Sequence, residues 1–145
     1  MIVYRICQTY PPTYDPIDGE GASLFGGRWN PKGTPAVYTA SSLALARCEI
    51  ARHVSLDEIP DDFRVYEIDI PDTQQVEPSP LPKGWKNNHD WRTTQAVGAQ
   101  YLSDLNVLSL KVPSLCDPHS YNLILNPASA NYGLVKVVRS YPFEP

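Results

Sequence analysis

Hydrophobic and polar positions along the chain predict short strands in most segments and few helices. Five runs rich in β-branched and aromatic residues are predicted as strands, namely 2–6, 63–70, 106–112, 121–125 and 134–138. Most of these strands follow one another without an intervening helix, which favours an α+β fold over an alternating α/β sheet. We therefore expect a mainly antiparallel sheet core with few helices.

Two segments have the periodicity of helices. The first follows the N-cap candidates Ser41 and Ser42 and runs to about Val54. Its apolar stripe has spacings of 3, 4 and 4 and consists of Leu43, Ala46, Ile50 and Val54. The second covers 93–102, and its expected packing residues are Ala96, Ala99 and Tyr101.

Turn-forming residues separate these elements. Three segments rich in proline, glycine or aspartate are predicted to be irregular, namely 11–21, 57–62 and 71–88. Between Gly26 and Thr39 the pattern predicts a strand, a type I turn at Asn-Pro-Lys-Gly (30–33) and a second strand. Arg28 and Tyr38 then lie on the two arms of this hairpin.

Composition and charge restrict the class of protein. A chain of 145 residues fits one domain spanning 1–145. Its 15 prolines are about twice the usual share of about 5% and indicate ordered loops. The net charge of −4 disfavours direct nucleic-acid binding but allows a local basic pocket for a small phosphorylated ligand.

Other features of the sequence indicate where the protein resides. No apolar run reaches the roughly 18 residues of a membrane span, and the N-terminus has no apolar signal region. Cys7, Cys48 and Cys116 are widely spaced and suggest neither a disulfide framework nor a zinc site. We therefore expect a protein of the reducing cytoplasm that does not enter a membrane.

Residues that suit ligand chemistry are concentrated between Gly21 and His53. Gly27 lets the backbone approach a ligand, and Arg28 beside it offers a planar fork for phosphate or carboxylate. Tyr38 suits stacking on a flat ring, and Glu49 suits binding a ribose hydroxyl or a developing positive charge. From the spacing alone, a structural Arg28–Glu49 ion pair with Tyr38 in the core remains equally open.

Common catalytic motifs are absent from the sequence. It contains no P-loop, no dinucleotide-binding glycine motif, no metalloprotease helix and no nucleophile elbow. His53, His89 and His119 lie far apart without metal-ligand spacing, so no metal site is expected.

Two blocks of sequence resemble the RES domain, the toxin half of a bacterial toxin–antitoxin pair. The first block is GEGASLFGGRWNPKGTPAVYTASSLALARCEIARH, and the second is LKVPSLCDPHSYNLILNP. The family is named for an Arg, a Glu and a Ser, which Arg28, Glu49 and Ser114 match, while Tyr38 matches the family's tyrosine. The resemblance covers nearly the whole chain.

The chain departs from the family's pattern in two places. Arg47 and Cys48 precede Glu49 where the family often has an apolar residue. Residues 128–130 are Ala-Ser-Ala where the family commonly has His-Pro soon after the Asn-Pro.

The resemblance implies an ADP-ribosyltransferase-like fold that binds NAD⁺ and breaks its nicotinamide–ribose bond. Arg28, Tyr38 and Glu49 would be catalytic, and Gly27 and Ser114 would join them in binding substrate. In this interpretation Glu49 stabilises an oxocarbenium-like ribose, Arg28 clamps a phosphate, and Tyr38 stacks on nicotinamide. Ser114 would bind the nicotinamide side or the ribose. NAD⁺ is the substrate, and no separate cofactor or metal is expected.

The resemblance also implies a protein partner. This would be an Xre-type helix-turn-helix antitoxin that covers the active site and binds operator DNA, so that the toxin meets DNA only indirectly. A homodimer is what the family suggests.

Several alternatives remain open. Water, phosphate or a protein side chain could accept the ADP-ribose, and a protein-modifying ADP-ribosyltransferase is the main alternative. A non-enzymatic binding module is disfavoured by the joint presence of Arg28, Tyr38 and Glu49. An RNA-cleaving toxin would use a histidine as general acid or base and is disfavoured, because His89 lies outside both blocks and His53 lies at the end of the first.

Overall fold

A computed structural model describes residues 1–9 and 13–145 of the chain. The described strands are β1 (Ile2–Gln8), β2 (Val37–Ala40), β3 (Phe63–Asp69), β4 (Gln75–Val76), β5 (Ser109–Pro113), β6 (Tyr121–Leu125) and β7 (Lys136–Pro142). The described α-helices are α1 (Glu20–Phe25), α2 (Leu43–Ala51) and α3 (Arg92–Leu102). Leu56–Glu58 and Tyr132–Leu134 form short 3₁₀ turns.

All the described strands belong to one sheet in the order β4-β5-β6-β2-β1-β3-β7. Every neighbouring pair is antiparallel except β4 and β5, which are parallel. The predicted α+β class with a mainly antiparallel sheet is therefore confirmed. In the described part of the chain, no helix is both long and apolar enough to cross a membrane.

Strand register determines which side chains share a face at the centre of the sheet. Tyr38 on β2 lies opposite Ile124 on β6, and Ala40 lies opposite both Asn122 on β6 and Tyr4 on β1. Because paired residues of antiparallel strands point the same way, these five side chains lie on one face. The cavity that Glu49 borders opens on this face.

Two apolar clusters on that face are separated along the sheet. One cluster lies under α2 and contains Leu45 and Ala46 together with Ile6, Phe63 and Val65. The other contains Leu102 of α3 with Trp29, Leu110, Val112 and Ile124. The opposite face of the sheet carries a third cluster that includes Val3, Val37, Leu123 and Leu125. The packing thus fixes α2 and the end of α3 over different strands and leaves space between them.

Helix α2 begins where the sequence predicts. Ser42 is the N-cap residue, and its Oγ accepts a hydrogen bond of 3.1 Å from the Leu45 N–H. The helix ends at Ala51 rather than near Val54. Leu45 is buried although it lies outside the predicted stripe, and Ile50 is only half-buried because it borders the cavity.

Helix α3 forms as predicted, and Tyr101 packs against an apolar cluster as expected, but other residues make its most buried contacts. Thr94, Gly98 and Leu102 are buried, whereas the expected packing residue Ala96 is exposed. A Cβ on Gly98 would lie 1.6 Å from the carbonyl oxygen of Trp29, so the helix meets that backbone directly. Hydrophobicity therefore did not indicate this contact, because a glycine makes it.

The segment before β2 differs from the predicted hairpin. Gly27 and Asn30 form an isolated bridge, and the predicted first strand is absent, because Arg28 and Trp29 occupy a tight turn. The second turn is shifted by one residue from the prediction, since the Thr34 N–H donates to the Pro31 carbonyl at 3.2 Å. Gly33 has φ +92° at its third position, which is typical of a type II turn.

The predicted loop 11–21 overlaps a helix at its end. Pro11 and Pro12 lie outside the described residues, and 13–19 is irregular as expected. Helix α1 begins at Glu20 and ends at Phe25, a six-residue element that the sequence pattern did not indicate. Gly26 follows it with φ +72°, so α1 leads directly into the turn that carries Arg28.

Candidate active site

A cavity of about 800 Å³ opens on the sheet face between α2 and the turn that carries Arg28. Its floor consists of side chains from β1, β2 and β6, including Tyr38 and Asn122. Glu49 and Arg52 border it from α2 and the end of that helix, and Asn88 and Trp91 border it from the loop before α3. This volume lies within the range of cavities that bind nucleotide-sized ligands.

Tyr38 links the cavity floor to the turn that carries Arg28. Its hydroxyl donates to Asn30 Oδ1 at 2.7 Å and accepts from the Trp29 N–H at 2.9 Å. Asn30 is fully buried and donates in turn to the carbonyls of Ala22 and Thr34. Burial raises the pKa of Tyr38, so its hydroxyl remains protonated and holds the turn, while its ring borders the cavity.

Gly27 is required for this arrangement. A Cβ at Gly27 would lie 2.6 Å from the Tyr38 hydroxyl and 2.9 Å from Asn30 Oδ1. Any side chain there would displace the tyrosine that anchors the turn. The close approach predicted for Gly27 is therefore made to the protein's own tyrosine, and the residue also borders the cavity.

Arg28 extends from the turn to the loop before α3. Its Nη1 donates to the carbonyls of Trp85 and Asn87, both at 2.7 Å, and its Nη2 donates to Asn88 Oδ1 at 2.5 Å. The guanidinium also lies 5.8 Å from the centre of the Trp91 ring. Burial, together with the positive charge of Arg52, lowers the pKa of Arg28. Arg28 thus holds the loop at the entrance of the cavity.

Glu49 is the half-buried carboxylate of the cavity. Its Oε1 accepts from Ser114 Oγ at 2.6 Å and from Asn122 Nδ2 at 3.0 Å, while its Oε2 lies 3.5 Å from Arg52 Nη1. Burial acts to raise the pKa of Glu49, but the Ser114 and Asn122 hydrogen bonds and the Arg52 charge outweigh it. The pKa lies below its ordinary value, and the carboxylate is ionised at neutral pH.

Ser114 acts on Glu49 and is absent from the cavity lining. The residue is 3% exposed, and its Oγ accepts from the N–H groups of Cys116 and Asp117 while it donates to Glu49. Those two contacts make Ser114 a cap of the turn that follows Pro113. This geometry favours a role in fixing the carboxylate over the direct substrate contact expected for Ser114.

Two further residues of the site did not stand out in the sequence. Arg52 is the residue, rather than Arg28, that pairs with Glu49, and a spacing of three along α2 is its only signal. The sequence favours loop-backbone roles for both Asn122 and Asn126, but Asn122 binds Glu49, and its Oδ1 is buried without a hydrogen-bond partner in the described structure. Asn126 does hold loop backbone, through the Asp104 and Val107 carbonyls.

The histidines contribute little to this arrangement. His53 borders the cavity, whereas His89 and His119 are absent from its lining. Within 1–9 and 13–145 no group of three or more His, Cys, Asp or Glu side chains is arranged to hold a metal ion.

Taken together, the fold and the site define an α+β protein in which a held carboxylate and arginines share one cavity of an antiparallel sheet. The chain belongs to the RES domain family, because the model of that family matches residues 2–144. The resemblance drawn from the two sequence blocks is thereby confirmed.

The chain is similar in sequence to two proteins named as toxins and to one named as an NAD⁺ phosphorylase. "Toxin Res" of Photorhabdus laumondii is 36% identical over 134 residues, which is 91% of this chain and 85% of that protein. "Prs ADP-ribosylating toxin" of a Sphingobium species is 34% identical over 138 residues, covering 90% and 86%. "NAD(+) phosphorylase MbcT" of Mycobacterium tuberculosis is 32% identical over 108 residues, covering 63% and 58%.

A solved structure has the same fold. The crystal structure of the M. tuberculosis MbcT–MbcA toxin–antitoxin complex matches with a TM-score of 0.76, over 98% of this chain and 83% of that one. The sequence identity is 24%, so this likeness concerns the fold.

Proposed function

We propose that this protein is the toxin of a type II toxin–antitoxin system and cleaves the nicotinamide–ribose bond of NAD⁺. The consumption of NAD⁺ then arrests growth. The observation that carries this proposal is the ionised Glu49 carboxylate, held by Ser114 and Asn122 within an arginine-lined cavity of about 800 Å³. The names of the relatives, which include an NAD⁺ phosphorylase and an ADP-ribosylating toxin, support the same chemistry.

The chemistry requires a negative charge beside the ribose. When the C1′–N bond of NAD⁺ breaks, its electron pair goes to nicotinamide, which leaves as a neutral molecule, and the ribose acquires oxocarbenium character. A preorganised carboxylate stabilises that charge without reorganising during the reaction. Ser114 and Asn122 fix Oε1 of Glu49, so we assign Oε2, which lies 3.5 Å from Arg52 Nη1, to the ribose.

The other predicted residues position the substrate. The Tyr38 ring lies on the cavity floor and offers a surface for nicotinamide, while its hydroxyl keeps the turn in place. Arg28 holds the entrance loop and presents its charge to the phosphates of the dinucleotide. Gly27 leaves room for Tyr38, and Ser114 positions Glu49. NAD⁺ is consumed as substrate, and the cleavage uses no separate cofactor.

An oxygen nucleophile completes the reaction at C1′. Water would give ADP-ribose and loses a proton as the new C–O bond forms. Inorganic phosphate would attack through an unprotonated oxygen and give a phosphorylated ADP-ribose. The relative named an NAD⁺ phosphorylase favours phosphate. The relative named an ADP-ribosylating toxin favours the second candidate, in which a protein side chain receives the ADP-ribose.

An antitoxin protein is the partner in this proposal. The structural neighbour is a toxin–antitoxin complex, and we extend that type of partner to this chain. The finer proposal is an Xre-type helix-turn-helix antitoxin, a toxin homodimer, and contact with DNA through the antitoxin alone. The cytoplasm, where NAD⁺ and the antitoxin would be found, is the proposed location.

The test uses purified protein and NAD⁺ that carries its label in the ADP-ribose part. Nicotinamide release is measured together with chromatography of the labelled products, with and without inorganic phosphate. We expect nicotinamide to appear, with the label in solution as ADP-ribose or its phosphate. Label bound to added cell protein would establish the second candidate. Absence of nicotinamide release, with or without lysate, would contradict both.

A further inference from the structure

Two arginines converge on one neutral oxygen at the entrance of the cavity. Arg28 Nη2 lies 2.5 Å and Arg52 Nη2 lies 3.2 Å from the same atom, Asn88 Oδ1. Two guanidinium groups held this close repel each other, and an uncharged amide oxygen offsets little of that repulsion. The effect is visible on Arg28, whose pKa is lowered by burial and by the Arg52 charge.

Negative charge at the cavity does not balance these cations. Among the described lining residues, Glu49 is the one acid, whereas Arg5, Arg28 and Arg52 are all cationic. Glu49 contacts Arg52 at 3.5 Å, but its Oε1 is already occupied by Ser114 and Asn122. The chain as a whole is acidic, with a net charge of −4, so the excess of positive charge is a local property of this cavity.

Arg52 is held in place by contacts to α2 and to the entrance loop. It is the C-cap residue of α2, and its backbone N–H donates to the Glu49 carbonyl at 3.2 Å. Its Nη1 faces Glu49 and its Nη2 faces Asn88, so the guanidinium spans the carboxylate and the entrance loop. Asn88 is exposed, and its side chain can leave this position without breaking the core.

We propose that Arg52, paired with Arg28, binds phosphate-type oxygens of the substrate, and that the Asn88 amide oxygen occupies their place in the free protein. This inference rests on the proposed function and adds a substrate-binding residue outside the Arg-Tyr-Glu-Ser set. Phosphate oxygens accept hydrogen bonds only, and paired guanidinium groups match them in charge and geometry. The diphosphate of NAD⁺ and inorganic phosphate share this chemistry.

The experiment measures binding by calorimetry with two probes, ADP-ribose and inorganic phosphate, and requires no turnover. We expect Arg52→Gln to lower the affinity for at least one probe by roughly 10-fold or more, the scale of losing a charge-assisted hydrogen bond. Loss for ADP-ribose alone would identify the diphosphate as the ligand, and loss for phosphate alone would identify the nucleophile's site. Asn88→Asp, which adds a negative charge between the arginines, should weaken the same probe.

The matched control is Arg92→Gln. It removes the same charge from a neighbouring side chain that is 88% exposed, pairs with Asp90 and lies outside the cavity lining. Equal effects of Arg52→Gln and Arg92→Gln, or unchanged binding of both probes to a folded Arg52→Gln protein, would overturn the proposal. If wild-type protein binds ADP-ribose through Arg52 yet releases no nicotinamide from NAD⁺, the proposed function is wrong, but the phosphate-binding role of Arg52 is supported.

Discussion

At the scale of single residues, Glu49 is distinguished from an ordinary helix glutamate by the donors around it. Ser114 and Asn122 come from chain segments more than 60 residues away, and both hydrogen bonds end on the same carboxylate oxygen. Each donor favours the ionised form of Glu49, so the fold keeps a negative charge half-buried in the cavity.

The Glu49→Gln variant separates catalysis from binding. Its side-chain oxygen can still accept from Ser114 and Asn122, but it has no negative charge to stabilise the ribose. We expect turnover to fall by roughly 10²–10³, the scale for one preorganised electrostatic contact, while NAD⁺ affinity changes much less. Nicotinamide release and calorimetric NAD⁺ affinity measure the two quantities. Full turnover in the variant would show that Glu49 is not the catalytic carboxylate.

Ser114→Ala tests the positioning role through the pH profile. The pKa of folded Glu49 lies below its ordinary value of 4.5, so ionisation and its stabilising effect are present above that value and are lost as pH falls through the folded pKa. Removing the Ser114 hydrogen bond should raise this pKa and move the acid limb of the kcat profile to higher pH. A lowered kcat with an unmoved acid limb would indicate that Ser114 acts in another way.

At the scale of elements, sequence reasoning succeeded where one residue type determines the local structure. The cap of α2 was predictable because Ser42 precedes a helical stripe, and β6 was predictable because its β-formers are bounded by polar residues. The packing of α3 was predictable at Tyr101 but not at Gly98, because Gly98 meets the Trp29 carbonyl and no hydrophobic periodicity signals a backbone contact.

The candidate site could also be predicted only in part. Arg28, Tyr38 and Glu49 do border one cavity, but their partners come from distant segments. Arg28 binds the carbonyls of Trp85 and Asn87, which follow an irregular proline-rich segment. No local sequence pattern determines where the end of that segment lies in the fold. Nothing in the local sequence distinguishes Arg52, because an arginine at a helix end is ordinarily solvated.

Gly98→Ala tests the contact between α3 and the Arg28 turn. An added methyl group 1.6 Å from the Trp29 carbonyl must push the helix and the turn apart. We expect a loss of about 1–3 kcal/mol or more in unfolding free energy, together with weaker NAD⁺ binding because Arg28 moves. Chemical denaturation and calorimetry measure these effects. Ala96→Gly on the exposed face of α3 is the control, and it should lower stability by no more than about 1 kcal/mol without weakening NAD⁺ binding.

At the scale of the whole molecule, an acidic chain surrounds a cavity rich in arginine. The net negative charge opposes nonspecific binding to nucleic acids, while the arginines concentrate positive charge where an anionic dinucleotide would bind. The charge of the whole chain and the charge of the cavity therefore have opposite signs and different roles.

This charge separation predicts a salt dependence. Raising potassium chloride from about 0.05 M to about 0.5 M shortens the screening length from roughly 14 Å to roughly 4 Å. We expect the KM for NAD⁺ to rise severalfold while kcat changes little, because the arginines contribute to binding. Steady-state kinetics at several salt concentrations measure both constants. A KM independent of salt would show that the arginines do not contact phosphates.

The central place of β6 in the sheet has a consequence for the timing of activity. Ribosomes release a chain from its N-terminus, so β1, β2 and α2 emerge well before β6, which nevertheless lies between β2 and β5. Until 114–125 has emerged, Glu49 lacks both of its donors and the cavity lacks part of its floor. A nascent chain that has not yet released β6 therefore has an incomplete site, and on the proposed function it would cleave no NAD⁺ at that stage.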